Sequence, residues 1–210
     1  MAGNSDHAVQ PAAVKVRTRS QGLPWGPLLG ALLLVMTIGS IAWFHHSQTR
    51  SIGRSFELID SKSGRLVSDR DFHGKWLLVF FGYTHCPDVC PTTLSEIADT
   101  LAKLGPLAGL VQPLFITLDP KRDTQQVLAD YTAAFDPRIL ALTGSPDQIA
   151  AAARGYGVYF ATREAGDDYS IDHSAAMYLT RPDGGYERSF LSTAGSVEIA
   201  KRLHGLLQGR

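Results

Sequence analysis

A chain of 210 residues has room for one ordinary soluble domain, which most often runs to roughly 100–150 residues, plus an appendage. Lysine plus arginine and aspartate plus glutamate tie at 20 each. No basic field draws the chain toward nucleic acid and no acidic one repels it, which argues against a nucleic-acid partner.

Residues 1–22 are rich in alanine, glutamine and small polar types and cannot build a core, so they are expected to form a disordered cytoplasmic tail. Residues 23–44 carry no charged side chain, and as a helix they would reach about 33 Å against a hydrocarbon core of about 30 Å. A single transmembrane helix is therefore expected there, with Trp25 and Trp43 at its two interfaces. Lys15, Arg17 and Arg19 precede it with only Asp6 to offset them, so the positive-inside rule puts the N-terminus in the cytoplasm and the rest outside.

A cleaved signal peptide is the alternative, since Ser40-Ile41-Ala42 after the apolar run loosely imitates a cleavage region. The length of the span favours an uncleaved anchor, and in either case the soluble part is exported. No cysteine follows the run closely, so a lipid-modified N-terminus has no acceptor. The short tail points to a bacterial inner membrane with the domain in the periplasm; the mitochondrial inner membrane facing the intermembrane space is the alternative.

Residues 45–54 read as a polar linker, and residues 55–210 as the folded domain. Its first element is a small hairpin, Phe56-Glu57-Leu58-Ile59 and Leu66-Val67 flanking a turn at 60–64. The continuous apolar runs at 76–81, 114–118 and 139–142 suit strands buried on both faces of a sheet. Between the first two, Leu94, Ile97, Ala98, Leu101 and Leu104 recur at helical spacing after Pro91, until Gly105-Pro106 stops the pattern. A second helix is predicted from Thr124, carrying Val127, Leu128, Tyr131 and Phe135. Ser145-Pro146-Asp147-Gln148 opens a third with a capping box and proline at the first helical position. Residues 175–179 and 186–191, separated by Pro182-Asp183-Gly184-Gly185, predict an antiparallel pair, and a last helix carries Ile199, Leu203 and Leu206. This order matches an α/β, thioredoxin-like mixed sheet flanked by helices.

The two cysteines are the only ones present, and both lie in Gly82-Tyr83-Thr84-His85-Cys86-Pro87-Asp88-Val89-Cys90-Pro91, between the first buried strand and its helix. Ligand sites in open α/β sheets sit outside the carboxyl ends of the strands, where this loop lies. With Pro91 expected at the first helical position, Cys90 falls at or beside the cap, where free amides and the helix dipole favour a thiolate. A four-residue step can bring two sulfurs close enough either to form a disulfide or to bind one soft metal ion. A permanent structural disulfide is the weaker explanation, because the five-residue ring closes too little chain to stabilise much.

These residues resemble the Sco/SenC family of copper chaperones for cytochrome oxidase assembly. The cysteine segment GYTHCPDVCPTTL resembles the family's cysteine motif, the stretch Ile116 to Thr124 its second block, and Ile171-Asp172-His173-Ser174 its third. The resemblance runs from about Gly53 to the C-terminus. It implies that Cys86, Cys90 and His173 bind one copper ion, and softness agrees. Two thiolates and an imidazole suit Cu(I) and can accept Cu(II), whereas a structural zinc site normally has four protein ligands. The recipient it implies is the oxidase subunit with the dinuclear copper centre, and another copper chaperone is a candidate donor.

The remaining candidates are weaker. His85 is expected to be a neighbour of the site or a solvent residue, His73 and His204 surface residues, and His45-His46 a polar flank of the span. Asp88 could cap the turn, Asp119 could hold the His173 loop or meet a partner, and Phe80 and Phe81 are core. The competing function is a thiol-disulfide oxidoreductase that reduces the oxidase's copper-site cysteines. Thioredoxin-type enzymes have a two-residue gap between cysteines and a cis-proline facing them. Here the gap is three, and no proline lies between Pro146 and Pro182, which favours metal handling.

Overall fold

The computed structural model describes residues 36–37, 39–40, 55–165 and 168–209. The chain divides into two compact units, Met1–Thr49 and Arg50–Arg210. In the first, Met36, Thr37, Gly39 and Ser40 are helical, and the Ser40 hydroxyl donates to the Met36 carbonyl at 2.7 Å. The tail at 1–22, the linker at 45–54 and nearly all of the span expected at 23–44 lie outside the described residues. Among the described residues no helix is long and apolar enough to cross a membrane.

In the second unit the strands are β1 (Glu57–Asp60), β2 (Leu66–Ser68), β3 (Trp76–Gly82), β4 (Val111–Thr117), β5 (Leu140–Thr143), β6 (Phe160–Ala165), β7 (Asp168–His173), β8 (Ala176–Thr180) and β9 (Tyr186–Leu191). The α-helices are α1 (Val89–Leu104), α2 (Gln125–Ala133), α3 (Pro146–Tyr156) and α4 (Ser196–Gln208). Seven strands form one mixed sheet in the order β2-β1-β5-β4-β3-β8-β9, with β3, β4 and β5 parallel and the outer strands antiparallel. This is the thioredoxin-like sheet flanked by helices that the element order predicts.

All seven residues of β3 are buried, and successive side chains of a strand point to opposite faces, so both faces of the sheet are covered. Leu78, Phe80, Phe81, Phe115 and Ile116 reach zero exposure. Removing such a side chain from water is worth about 1.5–3 kcal/mol each, which fixes the strand that ends at the cysteine loop. Helix α1 adds Leu94, Ile97 and Leu101 to the same core at the predicted helical spacing, and α4 adds Ile199 and Leu203.

The predicted turns form with the chemistry their residues dictate. In the β1-β2 turn the Asp60 carboxylate accepts from Lys62 N–H and the Ser63 hydroxyl. The β8-β9 turn closes with Arg181 N–H donating to the Gly185 carbonyl at 2.7 Å. Ser145 and Gln148 form the reciprocal capping box of α3, which ends on Gly157 at φ 69°, a left-handed conformation that glycine adopts without steric cost.

Four readings of the sequence need correction. Helix α1 starts at Val89 with Asp88 at the N-cap, so Pro91 is its third residue and Cys90 its second. Proline fits there because the first four amides of a helix have no partner within it. Val127 of α2 is exposed, and the buried stripe runs through Leu128 and Thr132. Strand β4 begins at Val111, ahead of the expected 114; Pro113 is tolerated because β5 joins β4 only from Leu114, so the proline stands on a locally unpaired side. The β6-β7 hairpin was not anticipated; it forms a separate two-stranded sheet pairing Phe160 with His173 and Ala165 with Asp168.

Candidate metal centre

Strand β3 delivers the chain to the rim of the sheet at Gly82, and the loop from Tyr83 turns back into α1. A turn bond from Cys86 N–H to the Tyr83 carbonyl, at 3.3 Å, shapes the loop. Asp123 anchors it from the segment after β4. Its fully buried carboxylate accepts from Thr84 N–H at 3.1 Å, from the Thr84 hydroxyl at 2.6 Å and from the Thr117 hydroxyl at 2.6 Å. A buried carboxylate is costly unless hydrogen-bonded, and these three donors tie the cysteine loop to the end of β4. The bond from Leu118 N–H to the Gly82 carbonyl, at 2.7 Å, adds a fourth tie.

Gly82 makes room for the site. A Cβ there would lie 2.7 Å from Cys90 Sγ, 2.9 Å from Phe115 Cε2 and 3.3 Å from Phe80 Cε1, so the sulfur rests against bare backbone. Cys90 is fully buried and Cys86 half-buried, and both are free thiols.

His173 ends β7 and reaches back over this loop. Its Nε2 lies 3.6 Å from Cys90 Sγ. Its Nδ1 lies 3.2 Å from the Ser174 carbonyl, an acceptor only, so in the neutral ring Nδ1 carries the hydrogen and Nε2 keeps its lone pair toward the sulfurs. Phe80 and Tyr83 hold the imidazole edge-on, at centroid distances of 6.2 and 6.0 Å. One ligand atom from each of Cys86, Cys90 and His173 lies within 4.8 Å of the others. That separation is small enough for one ion to bridge, since metal–sulfur and metal–nitrogen bonds run to about 2.0–2.3 Å.

The two thiols are electrostatically unlike. A hydrogen bond from Cys90 holds the Cys86 sulfur down at about 5 against the opposing effect of burial, helped by the amides of Asp88 and Cys90. Cys90 is pushed up, because its thiol donates a hydrogen bond to the Cys86 sulfur and is buried. The metal-free pair is thus a Cys86 thiolate receiving a hydrogen bond from a Cys90 thiol. Tyr131 lies within electrostatic reach of both; burial pushes its hydroxyl up, and its Oη is buried without a hydrogen-bond partner.

The other candidates fall into place. His85 is exposed and its Nδ1 sits 3.1 Å from Thr84 Oγ1, outside the cluster. His73 and His204 are exposed, and Phe80 and Phe81 are core. Asp88 occupies the N-cap position but its side chain makes no capping bond. Asp119 accepts from the Tyr169 hydroxyl of β7 at 2.8 Å and so holds the histidine hairpin. The sequence reading missed Asp123, Gly82 and Tyr131. Asp123 carried a usable signal, a carboxylate between two threonine-bearing segments at the strand rim. The other two are legible only once the side chains around them are placed.

Known proteins resemble this chain in sequence and in fold. A mitochondrial SCO2 homologue of Bos taurus is 40% identical over 205 residues, covering 86% of this chain and 76% of its own length. The copper-bound structure of Arabidopsis thaliana ScoI superposes with a TM-score of 0.72 at 35% identity, covering 76% of this chain and 100% of that one. Copper-bound Bradyrhizobium japonicum ScoI gives a TM-score of 0.68 at 41% identity, over 73% and 98% of the two chains. The SCO1/SenC family model matches residues 45–208, a span holding both cysteines and His173, and the chain belongs to that family.

Proposed function

We propose that this protein binds one copper ion through Cys86 Sγ, Cys90 Sγ and His173 Nε2 and delivers it to the dinuclear copper centre of cytochrome c oxidase during assembly. The observation that carries the reading is the convergence of the three ligand atoms within 4.8 Å from two separate segments of the chain. The copper in the Arabidopsis and Bradyrhizobium relatives supports it, and the donor set is soft enough for Cu(I) while the imidazole extends it to Cu(II). Cys86, half-exposed at the rim, is the ligand an incoming thiolate from the recipient can replace first. Cys90, fully buried, is the last to let go.

The anchor expected at 23–44 would hold the domain at the outer face of an inner membrane. The mitochondrial designation of the bovine relative supports the mitochondrial inner membrane. Another copper chaperone is the proposed donor. Protease accessibility of the full chain in sealed membranes tests the topology.

One observation favours a second reading. The half-buried, acidic Cys86 beside a fully buried Cys90 is the arrangement of an attacking and a resolving thiol, which suits a reductase of the oxidase's copper-site cysteines. The two readings separate by titration. The full chain in detergent should bind one equivalent of copper, and His173→Ala should alter the thiolate-to-copper absorption and weaken Cu(II) far more than it changes thiol reactivity. Unchanged stoichiometry, affinity and absorption in His173→Ala would remove the ligand assignment. Rapid reduction by the metal-free protein of an oxidase peptide carrying its disulfide would support the second reading.

A further inference from the structure

His173 stands on a hairpin that belongs to no larger sheet. Among the described residues, β6 and β7 pair only with each other, so backbone ladders do not fix the hairpin against the body. Its seat is made by side chains. Arg122, in the turn after β4, places its guanidinium carbon 3.6 Å from the centroid of the Tyr169 ring and 5.9 Å from that of Tyr83. The Arg122 Nε pairs with Asp119 Oδ2, and the Tyr169 hydroxyl donates to Asp119 Oδ1 at 2.8 Å. Tyr83, from the cysteine loop, accepts Ile171 N–H at 3.3 Å. Asp119 is nearly buried, and the Arg122 side chain is only 17% exposed, so their ion pair acts where water screens it little.

Strand periodicity links this cluster to the ligand. Tyr169, Ile171 and His173 alternate along β7 and so share one face, turned toward the cysteine loop and the Asp119 turn. Holding Tyr169 at one end and Ile171 in the middle fixes where the imidazole at the other end points. Tyr83 joins the cluster to the ligand, since its ring meets the His173 imidazole edge-on at 6.0 Å.

We propose that Arg122 is a positioning residue for His173: by stacking on Tyr169 while paired to Asp119, it latches the β6-β7 hairpin onto the cysteine loop and keeps the imidazole within bonding reach of the ion held by the two thiols. The inference rests on the copper reading for its consequence, not for its geometry. With the latch open the site keeps two thiolates, which satisfy Cu(I), and loses the nitrogen that Cu(II) requires. Arg122 therefore sets how strongly the protein holds Cu(II) relative to Cu(I).

The test compares full-length wild type, Arg122→Ala, Tyr169→Leu, His173→Ala and the Arg122→Ala/His173→Ala double variant. Each is titrated with Cu(II) and with Cu(I) against a competing chelator, and amide exchange at Ile171 is followed in the metal-free proteins. Arg122→Ala and Tyr169→Leu should each lower Cu(II) affinity by about 10–100-fold, the usual cost of losing a group that orients a ligand, and shift the thiolate-to-copper absorption toward that of His173→Ala. The double variant should be no weaker than His173→Ala alone, Cu(I) affinity should change by less than about threefold, and Ile171 should exchange faster. Wild-type Cu(II) affinity and spectrum in both single variants would overturn the latch, as would a double variant whose loss is the product of the two single losses. If Arg122→Ala does not fold, Tyr169→Leu decides, since it alters a hairpin side chain at the domain surface. If wild type and His173→Ala bind Cu(II) alike, the copper reading fails, and Ile171 exchange alone decides the latch: faster in Tyr169→Leu upholds it, unchanged overturns it.

Discussion

Replacing Gly82 by alanine adds one methyl group at the point where β3 meets the site. The new carbon would stand 2.7 Å from Cys90 Sγ and 2.9 Å from Phe115 Cε2, whereas heavy atoms pack at about 3.5–4.0 Å. Something must move by roughly 1 Å to restore ordinary contact. Neither neighbour is free to do so, because Cys90 and Phe115 are both fully buried. Overpacking of this kind costs about 1–3 kcal/mol, or roughly 2–12 °C in Tm for a domain of this size. The effect on the site should be larger, since metal–ligand distances tolerate only about 0.2 Å and the sulfur is the atom displaced. Thermal unfolding of the metal-free chain and a copper titration read the two effects separately. In a Phe115→Leu background the stability cost of the methyl should shrink while the copper loss persists, because only the ring clash has been relieved. A Gly82→Ala protein with wild-type Tm and wild-type copper affinity would refute the reasoning outright.

Other perturbations probe the supports of the site and the pH behaviour of the molecule. Asp123→Ala removes the acceptor of the fully buried Thr117 hydroxyl and of the part-buried Thr84 amide and hydroxyl; at about 1–3 kcal/mol for an orphaned buried donor, the loss in urea unfolding should exceed about 1 kcal/mol, and a smaller loss would mean water replaces the carboxylate. Alkylation of the metal-free protein should modify Cys86 first, at a rate that falls as the pH drops through about 5, with Cys90 protected until the chain unfolds; peptide mapping that found Cys90 labelled first would contradict this. Asp136, whose carboxyl Arg138 holds below its usual value of 3.8, stabilises the fold above that value and loses the contribution as the pH falls through its lower folded value. The stability gap between wild type and Asp136→Asn should therefore close below pH 3.8, and a gap independent of pH would count against the ion pair. Ser145→Ala removes the α3 cap and should cost about 1 kcal/mol without touching copper binding.

Where periodicity and turn chemistry are strong, the fold is legible in the sequence. The apolar run of β3, the helical spacing from Leu94 to Leu104, the Ser145 capping box and the Pro182 to Gly185 turn each declare an element by a local physical rule, and each is present. The β6-β7 hairpin escaped because Tyr169, Ile171 and His173 alternate with Ser170 and Asp172 over too short a stretch to stand out from a loop. The start of α1 escaped for a different reason. Proline is acceptable at any of the first helical positions, so Pro91 locates the helix start only to within a turn. At the site, residue types with scarce chemistry were legible: two cysteines in one loop and a histidine before a strand. The residues that hold them were not, because the meaning of Asp123, Gly82 and Arg122 depends on which segments the fold brings together.

Those supports divide the site into two mechanically different halves. Cys86 and Cys90 belong to the body, one in a loop tied down by Asp123 and the other in the first turn of α1 against Gly82. His173 belongs to a hairpin seated by an arginine stacked between two tyrosines. A carrier that must hold copper and then release it faces opposed demands, since a fully rigid three-ligand site releases slowly and a loose one does not load. Placing two donors on the rigid part and the third on an arm answers both. On the proposed copper reading, the thiol pair would set whether the ion is held, and the arm which oxidation state is held tightly. On that reading the same division would give a recipient a point of entry, because a displaced imidazole would leave a coordination position open without disturbing the sulfurs.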